Sequence, residues 1–414
     1  MGTKILHIYK DYYPVLGGME NHIKMLAESQ VQRGHEVTVL ATHPSSKTHI
    51  EEMNGVRVIK AGRLATVASA PLSISLPMWL WHQRPDIAHL HFPYPVGELS
   101  QLLFGRAARV VMTYHSDVVR QKGLLRLYRP VLWHVLRRVD RIIATSPNYI
   151  ESSPYLSQLR AKCTVIPLGI ALERFLAEGP PRKARGTEGP AGALRASLEA
   201  PGWEVKRIRD AYGTPLLLFV GRLRYYKGLQ YLLAAMNDIP ARLLVVGSGP
   251  MDAEWRALAT TLGLSEKVVF LGEVSDEELP AYYHACNVFV LPACERSEAF
   301  GAVQIEAMAS GLPVVCTELG TGTSYVNVHG QTGWVVPTRD PTALAAAIGD
   351  LLHDEPKRRR MGEQARERAL AEFSLGSMAD RVLDMYGEVL AGGGSDKKPG
   401  VWPSVNHTPG RENT

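Results

Sequence analysis

The chain of 414 residues alternates short apolar β-type runs with longer helix-like stretches, and it does so in two separate blocks. The first block extends from KILHIYK near the N-terminus to CTVIP, and the second extends from PLLLFVG to GWVV. Because parallel strands need long crossover connections, this alternation predicts parallel sheets that are covered by helices. We therefore predict an α/β fold with two doubly wound domains.

The two blocks are separated by a stretch rich in Gly, Pro, Ala and Arg, AEGPPRKARGTEGPAGALRAS. This composition predicts a linker or surface insertion over residues 176–212, between an N-terminal domain at 1–175 and a C-terminal domain at 213–372. The apolar spacing of LGSMADRVLDMYGEVL predicts a packed helix within 373–391. The remainder, 392–414, has no periodicity and is expected to be disordered.

Composition and charge narrow the class of partner. Hydrophobic residues make up 45% and charged residues 21% of the chain, which is ordinary for a soluble globular protein. The formal net charge of +5 suits an anionic substrate or membrane surface, whereas no nucleic-acid-binding motif accompanies it. The N-terminus has no secretory signal and no apolar run approaches about 18 residues, so we expect a cytoplasmic protein. The four cysteines form no C-x-x-C pair, which argues against a metal site or a disulfide framework.

Ligands of doubly wound folds bind at the carboxyl ends of the strands, so the loops that follow the strands are candidate sites. Gly17 and Gly18 stand directly before a helix, where free amides can hold phosphate, although a tight turn explains them equally well. Arg222 and Lys227 follow the strand PLLLFVG. Two cations in this position can clamp a diphosphate, and a solvated basic loop is the alternative.

A second glycine motif, VVGSGP, contains Gly247 and Gly249 and resembles the start of a dinucleotide-binding fingerprint. Pro250, Met251 and Asp252 follow it, so the third glycine of that fingerprint is missing. Hydride transfer on NAD is therefore disfavoured.

The stretch ERSEAFGAVQIEAMASG places two carboxylates, Glu298 and Glu306, on either side of Phe300 and Gly301. The first carboxylate falls in the loop after the strand VFVLP, and the second falls about one turn inside the next helix. A carboxylate in that turn suits a ribose diol, while the loop carboxylate and the amides of Phe300 and Gly301 suit a sugar or an anion. Helix capping by Glu298 and a surface position for Glu306 remain the structural alternative.

Taken together, LGGMENH, TYHSD, VIPLGI, GRLRYYKGL, VVGSGP and SEAFGAVQIEA resemble the motifs of the family 4 retaining glycosyltransferases, in the family's order. The resemblance covers roughly residues 4–175 and 213–390. It implies the GT-B fold, in which two Rossmann-like domains face each other across a cleft. The combination of ERSEAFG with ELGTGTSYVN is similar to bacterial polysaccharide mannosyl- and rhamnosyltransferases.

The resemblance also implies roles for single residues. Arg222 and Lys227 would bind the donor diphosphate, and Glu306 would hold the ribose. Glu298 would contact hydroxyls of the donor sugar, and His115 would lie near the anomeric centre. The remaining nucleotide-sugar contacts would come from Gly17, Gly18, Gly247, Gly249, Phe300 and Gly301.

The expected reaction is transfer of a hexose, with mannose favoured, from a nucleotide-diphosphate sugar to a hydroxyl of a glycan or lipid-linked acceptor. No D-x-D element occurs in the chain, so no essential metal or other cofactor is expected. A sugar-nucleotide epimerase or phosphorylase of the same fold, and a non-catalytic nucleotide-sugar-binding subunit, remain alternatives. The basic and apolar residues between Arg120 and Arg141 suggest a peripheral contact with an anionic membrane at its inner face, with a solvated helix face as the alternative.

Overall fold

The structure, a computed structural model, describes residues 2–15, 17–67, 70–117, 122–176 and 202–392. Within these residues the chain forms two large parallel sheets with helices packed on them, which confirms the predicted α/β class. Most of the expected insertion, 177–201, and the expected disordered tail from 393 onward lie outside the described residues.

The first sheet and a small hairpin contain ten strands. They are β1 Lys4–Ile8, β2 Glu36–His43, β3 His49–Met53, β4 Val56–Gly62, β5 Ala65–Val67, β6 Ala70–Leu72, β7 Ile87–Phe92, β8 Arg109–Tyr114, β9 Arg141–Ala144 and β10 Cys163–Val165. The accompanying helices are α1 Gly18–Gln32, α2 Ser75–His82, α3 Pro95–Phe104, α4 Lys122–Arg138 and α5 Pro147–Ser152. Short 3-10 turns occupy Leu156–Gln158, Arg160–Lys162 and Glu173–Phe175.

The first sheet is doubly wound around β1. Its strand order is β10-β9-β8-β7-β1-β2-β4-β3, and β3 is the strand that runs antiparallel to its neighbour. The chain builds outward from β1 through β2 on one side, then returns to place β7 on the other side. The strand order therefore reverses between β1 and β7, where a crevice opens at the carboxyl edge.

The second sheet contains six strands: β11 Leu216–Val220, β12 Arg242–Val246, β13 Val268–Gly272, β14 Val288–Leu291, β15 Val314–Thr317 and β16 Gly333–Val336. Its helices are α6 Trp203–Tyr212, α7 Leu229–Ala235, α8 Asp252–Thr261, α9 Leu279–Ala285, α10 Val303–Ala309, α11 Thr323–Val326, α12 Pro341–His353 and α13 Glu355–Glu372. Two 3-10 turns lie at Tyr225–Lys227 and Met236–Asp238.

The second sheet is parallel throughout, in the order β13-β12-β11-β14-β15-β16. Its four inner strands, β12, β11, β14 and β15, are almost wholly buried and rich in Val and Leu, as expected when helices cover both faces. Here the strand order reverses between β11 and β14. The loops after these two strands carry the motifs GRLRYYKGL and ERSEAFG, so the topology brings both motifs to one crevice.

The C-terminal part of the expected linker is helical. Helix α6 buries Val205 and Ile208 in the core of the second domain, three positions apart and therefore on one helix face. Gly202 and Gly213 flank it with φ angles of +93° and +76°, conformations that favour glycine. Residues 203–212 are thus part of the second domain's helical layer.

The last helix, α14 Leu375–Leu390, returns to the first domain. It begins at Ser374, whose hydroxyl accepts a hydrogen bond from the Ser377 amide. Its residues Met378, Val382 and Tyr386, spaced by four positions, are buried in the core of the first domain. The C-terminal segment therefore connects the two domains by packing as well as by sequence.

Helix α4 continues through Pro130. A proline removes one backbone hydrogen bond and disfavours a helix interior. Burial of Leu132, Val135 and Leu136 in the first core holds the following turns in place. No helix in the described part of the chain is long and apolar enough to cross a membrane.

Candidate active site

The loops after β11 and β14 meet through an ion pair at the reversal point of the second sheet. Lys227 Nζ lies 2.6 Å from Glu298 Oε2, and both side chains are about 10% exposed. The Cys294 amide donates a hydrogen bond to the Tyr226 carbonyl at 2.9 Å, which ties the two loops together beside the pair. Two residues that are 71 positions apart in sequence are thereby placed at one point of the crevice.

The environment of Lys227 keeps its ammonium group charged. Burial favours the neutral amine, but the charge of Glu298 and the hydrogen bond to it outweigh burial and raise the pKa of Lys227. The site therefore holds a fixed cation and an anion in contact. A diphosphate that reached this point would compete with the Glu298 carboxylate for the lysine.

Arg222 lies in the same loop as Lys227 but is exposed. Among the described residues it has no ion pair or hydrogen bond with another side chain. The structure therefore brings Lys227 and Glu298 together and leaves the Arg222 guanidinium in solvent at the loop surface.

Glu306 lies in the first turn of α10, as the sequence indicated. Its Oε2 accepts a hydrogen bond from the Tyr283 hydroxyl at 2.8 Å. Burial raises the pKa of Glu306, and the Tyr283 hydrogen bond together with the charge of Arg174 partly offsets that rise. Tyr283 belongs to α9 and fixes the orientation of this carboxylate.

Phe300 and Gly301 have different positions in the structure. The Phe300 ring is buried in the core of the second domain and meets Phe373 edge-on, with ring centroids 6.1 Å apart. Only its backbone is therefore available to a ligand. Gly301 has a φ angle of +74°, which a residue with a side chain adopts at a cost, and it directs the chain into α10.

Gly247 and Gly249 follow β12 and allow two loops to approach closely. The Leu223 amide donates to the Ser248 carbonyl at 2.8 Å, and the Met251 amide donates to the Leu223 carbonyl at 3.1 Å. A Cβ atom on either glycine would clash with the backbone of the loop after β11. These glycines therefore support the loop that carries Lys227.

Gly17 and Gly18 stand at the start of α1, at the carboxyl end of β1. Gly17 is extended, with φ at −175°, and a Cβ atom there would clash with the carboxylate of Glu20. Gly18 is exposed and has open space around it. The pair thus lies at the reversal point of the first sheet, with room beside it for a ligand.

His115 directly follows β8 and is buried. Burial, reinforced by the nearby His22, lowers the pKa of His115 well below its ordinary value, so its ring is neutral at pH 7. Two residues later, Asp117 Oδ2 accepts from Arg296 Nη2 of the loop after β14 at 3.1 Å. The carboxyl edges of the two sheets therefore face each other, with His115 on one side and Glu298 on the other.

Further polar contacts join the same two edges. Asn148 Nδ2 donates to Ser324 Oγ at 3.0 Å, and the Ser152 hydroxyl donates to the Gly320 carbonyl. The Arg296 guanidinium also lies over the Tyr149 ring, 5.4 Å from its centroid. These contacts come from α5 in the first domain and, in the second, from the loops after β14 and β15 and from α11.

Two groups of three buried histidines have the spacing of metal ligands. His7, His89 and His91 form one group, and His22, His91 and His115 form the other, each with nitrogen atoms within 4.8 Å of one another. Both groups lie in the first domain. The expectation that activity needs no metal remains a prediction.

Two family models match the chain in the order of the two domains. The model described as Glycosyltransferase Family 4 matches residues 16–174, and the model described as Glycosyl transferases group 1 matches residues 204–368. The chain is 34% identical over 390 residues to the O-antigen chain mannosyltransferase C of Escherichia coli, covering 94% of this chain and 99% of that protein. This chain belongs to glycosyltransferase family 4.

A second relative of the glycosyltransferase is the D-rhamnosyltransferase WbpZ of Pseudomonas aeruginosa, at 36% identity over 88% of this chain and 91% of the relative. Among solved structures, the glycosyltransferase resembles sucrose-phosphate synthase from Thermosynechococcus elongatus with a TM-score of 0.69 and 25% identity, covering 94% and 99% of the two chains. HepE from Anabaena, solved in complex with UDP-glucose, has a TM-score of 0.70 at 19% identity, with 93% and 100% covered. The glycosyltransferase therefore has the GT-B fold, as its motifs predicted.

Sequence reasoning missed several residues around the site of the glycosyltransferase. Tyr283, Asp117 and Arg296 were not singled out, because each acts on a partner far away in the chain. The histidines around His115 were also missed, although HLH in β7 places two imidazoles on one face of a central strand. Two histidines at alternate positions of a buried strand were the feature of the sequence that could have indicated this cluster.

Proposed function

We propose that this glycosyltransferase moves a hexosyl group, with mannose favoured, from a nucleoside-diphosphate sugar to a hydroxyl of a glycan or lipid-linked acceptor. The reaction retains the anomeric configuration, needs no metal and serves cell-surface polysaccharide synthesis. Two relatives, an O-antigen chain mannosyltransferase and a D-rhamnosyltransferase, support this class of product. The observation that carries the proposal is the buried Lys227–Glu298 pair at the reversal point of the second sheet.

The chemistry starts at the bond between the sugar C1 and the diphosphate. As that bond breaks, negative charge builds on the leaving diphosphate, and Lys227 stabilises it together with Arg222. Glu298, released from Lys227 when the phosphate binds, accepts hydrogen bonds from sugar hydroxyls. The departing phosphate takes the proton of the acceptor hydroxyl as that oxygen attacks C1 from the same face.

The other predicted residues hold the nucleotide and the sugar. Glu306, oriented by Tyr283, accepts hydrogen bonds from the ribose diol. The amides near Gly301 contact the sugar, Gly17 and Gly18 approach the phosphates from the first domain, and Gly247 and Gly249 shape the nucleotide pocket. His115 faces the sugar hydroxyls from the opposite side of the cleft.

The test combines ligand binding with turnover. Thermal unfolding is followed with GDP, UDP, ADP, dTDP and their sugar conjugates, with and without EDTA, because a ligand that binds the folded state raises the apparent stability. We expect one nucleotide to shift the transition, with no effect of EDTA. NMR of the product should show the same anomeric configuration as the donor.

Three outcomes would contradict the proposal. Donor turnover that needs no acceptor would favour the epimerase, and full donor binding without turnover for any acceptor would favour a binding subunit. A requirement for a divalent ion would overturn the metal-free mechanism.

Lys227→Ala should abolish the shift in unfolding temperature that the diphosphate causes. Lys47 is exposed, and Lys47→Ala serves as the matched lysine control.

We also propose that the protein is cytoplasmic and rests on the anionic inner face of a membrane through α2, α3 and α4. These three helices pack side by side in the first domain and carry several large apolar residues that face solvent. Leu127 on α4 is 80% exposed, and Leu103 on α3 is 61% exposed. Arg126, Arg129 and Arg137 are exposed on α4 as well, so cations flank the apolar residues.

Vesicle flotation tests this contact. The wild-type protein should float with vesicles that contain phosphatidylglycerol and stay in solution with pure phosphatidylcholine. Leu127→Glu should weaken flotation, whereas Leu370→Glu, at an exposed leucine of the second domain, should not. Flotation that is independent of anionic lipid, or equal loss in both variants, would count against the proposed surface.

A further inference from the structure

Five buried histidines surround the carboxyl half of β1 and β7 in the first domain. They are His7 on β1, His22 on α1, His89 and His91 on β7, and His115 after β8. Their rings stack or meet edge-on, with neighbouring centroids as close as 4.3 Å. So many imidazoles in one core need an explanation, because a buried ring nitrogen without a hydrogen-bond partner destabilises the fold and most buried polar atoms have one.

Three of these histidines form a continuous hydrogen-bonded chain that begins at a buried glutamine. His7 Nε2 lies 2.8 Å from Gln30 Oε1, His7 Nδ1 lies 3.0 Å from His91 Nε2, and His91 Nδ1 lies 3.1 Å from His115 Nε2. This row of hydrogen bonds therefore runs from the interior of the first domain to His115, the residue that we place beside the donor sugar.

The rings of this chain are neutral. Burial lowers the pKa of His7 to about 4 and the pKa values of His91 and His115 well below the ordinary value. A neutral imidazole carries one N–H, so one nitrogen donates and the other accepts. In a row of such rings, the direction of one hydrogen bond sets the direction of all the others.

The orientation of the Gln30 amide sets that direction. Its oxygen faces His7, so His7 Nε2 carries the proton and His7 Nδ1 accepts from His91 Nε2. His91 Nδ1 then accepts from His115 Nε2, and His115 Nδ1 is left with a free lone pair. The opposite amide orientation would protonate His115 Nδ1 instead.

We propose that Gln30, His7 and His91 are positioning residues that fix His115 as the Nε2–H tautomer, so that its Nδ1 accepts a hydrogen bond from a donor-sugar hydroxyl. The role of Nδ1 toward the sugar rests on the proposed function. The tautomer itself does not, because the hydrogen bonds that define it lie inside the first domain.

Two histidines of the cluster lie outside this hydrogen-bonded row, and one of them, His22, serves as the control. His89 bonds to the Tyr386 hydroxyl at 2.6 Å and to Thr113 Oγ1 at 2.7 Å and makes no direct hydrogen bond with His7, His91 or His115 among the described residues. Neither nitrogen of His22 has a hydrogen-bond partner among the described residues, and its ring meets the rings of His91 and His115 edge-on. Both are as deeply buried as the chain members.

The first readout is the tautomer of His115 in the ligand-free full-length protein. Long-range proton–nitrogen NMR of protein with labelled histidines reports which ring nitrogen carries hydrogen, and His115→Gln identifies the signal. We expect the Nε2–H form in the wild type. Gln30→Met, which removes the terminal acceptor three hydrogen bonds away, should populate the Nδ1–H form, whereas His22→Phe should leave the Nε2–H form unchanged.

The second readout separates the sugar from the nucleotide. Gln30→Met and His91→Phe should lower kcat/KM for the donor about fivefold, the effect of one hydrogen bond, while the affinity for the free nucleoside diphosphate stays unchanged. An equal loss of affinity for the free nucleotide would indicate general damage to the domain and overturn the positioning role.

The remaining outcomes are also decisive. An Nδ1–H signal for wild-type His115 would overturn the inference even if the protein transfers sugar. A wild-type Nε2–H signal in a protein that binds no nucleotide sugar would leave the tautomer established and refute the proposed function. Stoichiometric Zn²⁺ binding that removes the His91 and His115 N–H signals would identify a metal site and overturn the proposed positioning of His115 by hydrogen bonds.

Discussion

At the scale of single residues, the candidate active site contains a buried charge pair. Lys227 and Glu298 are each nearly enclosed by protein, and each satisfies the charge of the other. Removing one partner from such a pair leaves an uncompensated charge, which costs more than the pair itself contributes. We therefore expect a donor that binds at this pair to change the local stability of the site.

Lys227→Met should lower the free energy of unfolding by about 3 kcal/mol because it leaves the Glu298 carboxylate buried without its cation. The double variant Lys227→Met/Glu298→Gln should recover most of that loss. Chemical denaturation of both variants checks this expectation. A loss in the double variant equal to the sum of the losses in Lys227→Met and Glu298→Gln, each measured alone, would show that the two side chains do not interact.

The histidine cluster predicts a dependence of stability on pH. Unfolded histidines bind protons near their ordinary pKa of 6.5, whereas burial lowers the pKa of His7 and of His22 to about 4 in the folded protein. The folded state thus binds fewer protons. Each of the two residues therefore lowers the free energy of unfolding by up to about 1.4 kcal/mol per pH unit as the pH falls from 6.5 toward 4.

Glu98 acts in the opposite direction. Burial raises its pKa to about 7, against hydrogen bonds from Tyr128 and the Tyr94 amide, so the folded state binds its proton more readily. We therefore expect denaturation midpoints to fall between pH 7 and pH 5, less steeply in His22→Phe and more steeply in Glu98→Gln. A slope that neither substitution changes would assign the acid sensitivity to other groups.

At the scale of secondary-structure elements, α14 is next to one domain in sequence and packs on the other in space. It follows the second domain in the chain, but its apolar face packs in the core of the first. Its contacts with the first domain include the Tyr386 hydroxyl on His89 Nδ1 of β7 and an ion pair, at 2.8 Å, between Asp380 and Arg33 at the end of α1. One contact is buried and the other is at the surface, so their energetic weights differ.

Tyr386→Phe should lower the free energy of unfolding by about 1 kcal/mol because it leaves a buried nitrogen of His89 without its partner. Asp380→Ala, which removes the exposed ion pair of the same helix, should change stability much less. Equilibrium denaturation of the two variants makes the comparison. A larger effect of Asp380→Ala would contradict the assignment of the docking energy to the buried face.

At the scale of the whole molecule, the two domains meet through polar contacts between their carboxyl edges. Asp117 is the centre of this contact: it pairs with Arg296 and also accepts from Tyr114 and Ser153. Arg296 lies two positions before Glu298 in the same loop. The contact that joins the domains therefore also holds the loop that carries the candidate catalytic carboxylate.

Arg296→Gln should reduce kcat about fivefold, because a displaced loop loses the geometry that transfer requires, while nucleotide affinity stays close to that of the wild type. Small-angle scattering should show a larger radius of gyration for this variant. Arg359→Gln removes an ion pair with Glu355 within α13 of the second domain and is the matched control. Unchanged scattering and turnover in Arg296→Gln would remove the domain contact from the mechanism.

Local sequence determined the elements and several of the candidate residues. The alternation of β-type and helical segments is enough for two doubly wound sheets, because an apolar run of five residues can be buried on both faces only between layers of helices. Glu306 inside the first turn of α10 and Gly301 with a positive φ follow from the chain within a few residues of each position.

Only the tertiary structure decided which of these residues meet. Lys227 contacts Glu298 because β11 pairs with β14, and the apolar patterns of the strands are compatible with other orders. The His7–His91–His115 chain likewise requires β1, β7 and β8 to lie side by side, and Asp117 meets Arg296 only across two domains. Apolar periodicity specifies which face of a strand is buried, whereas strand order and domain contacts depend on packing between segments far apart in the chain.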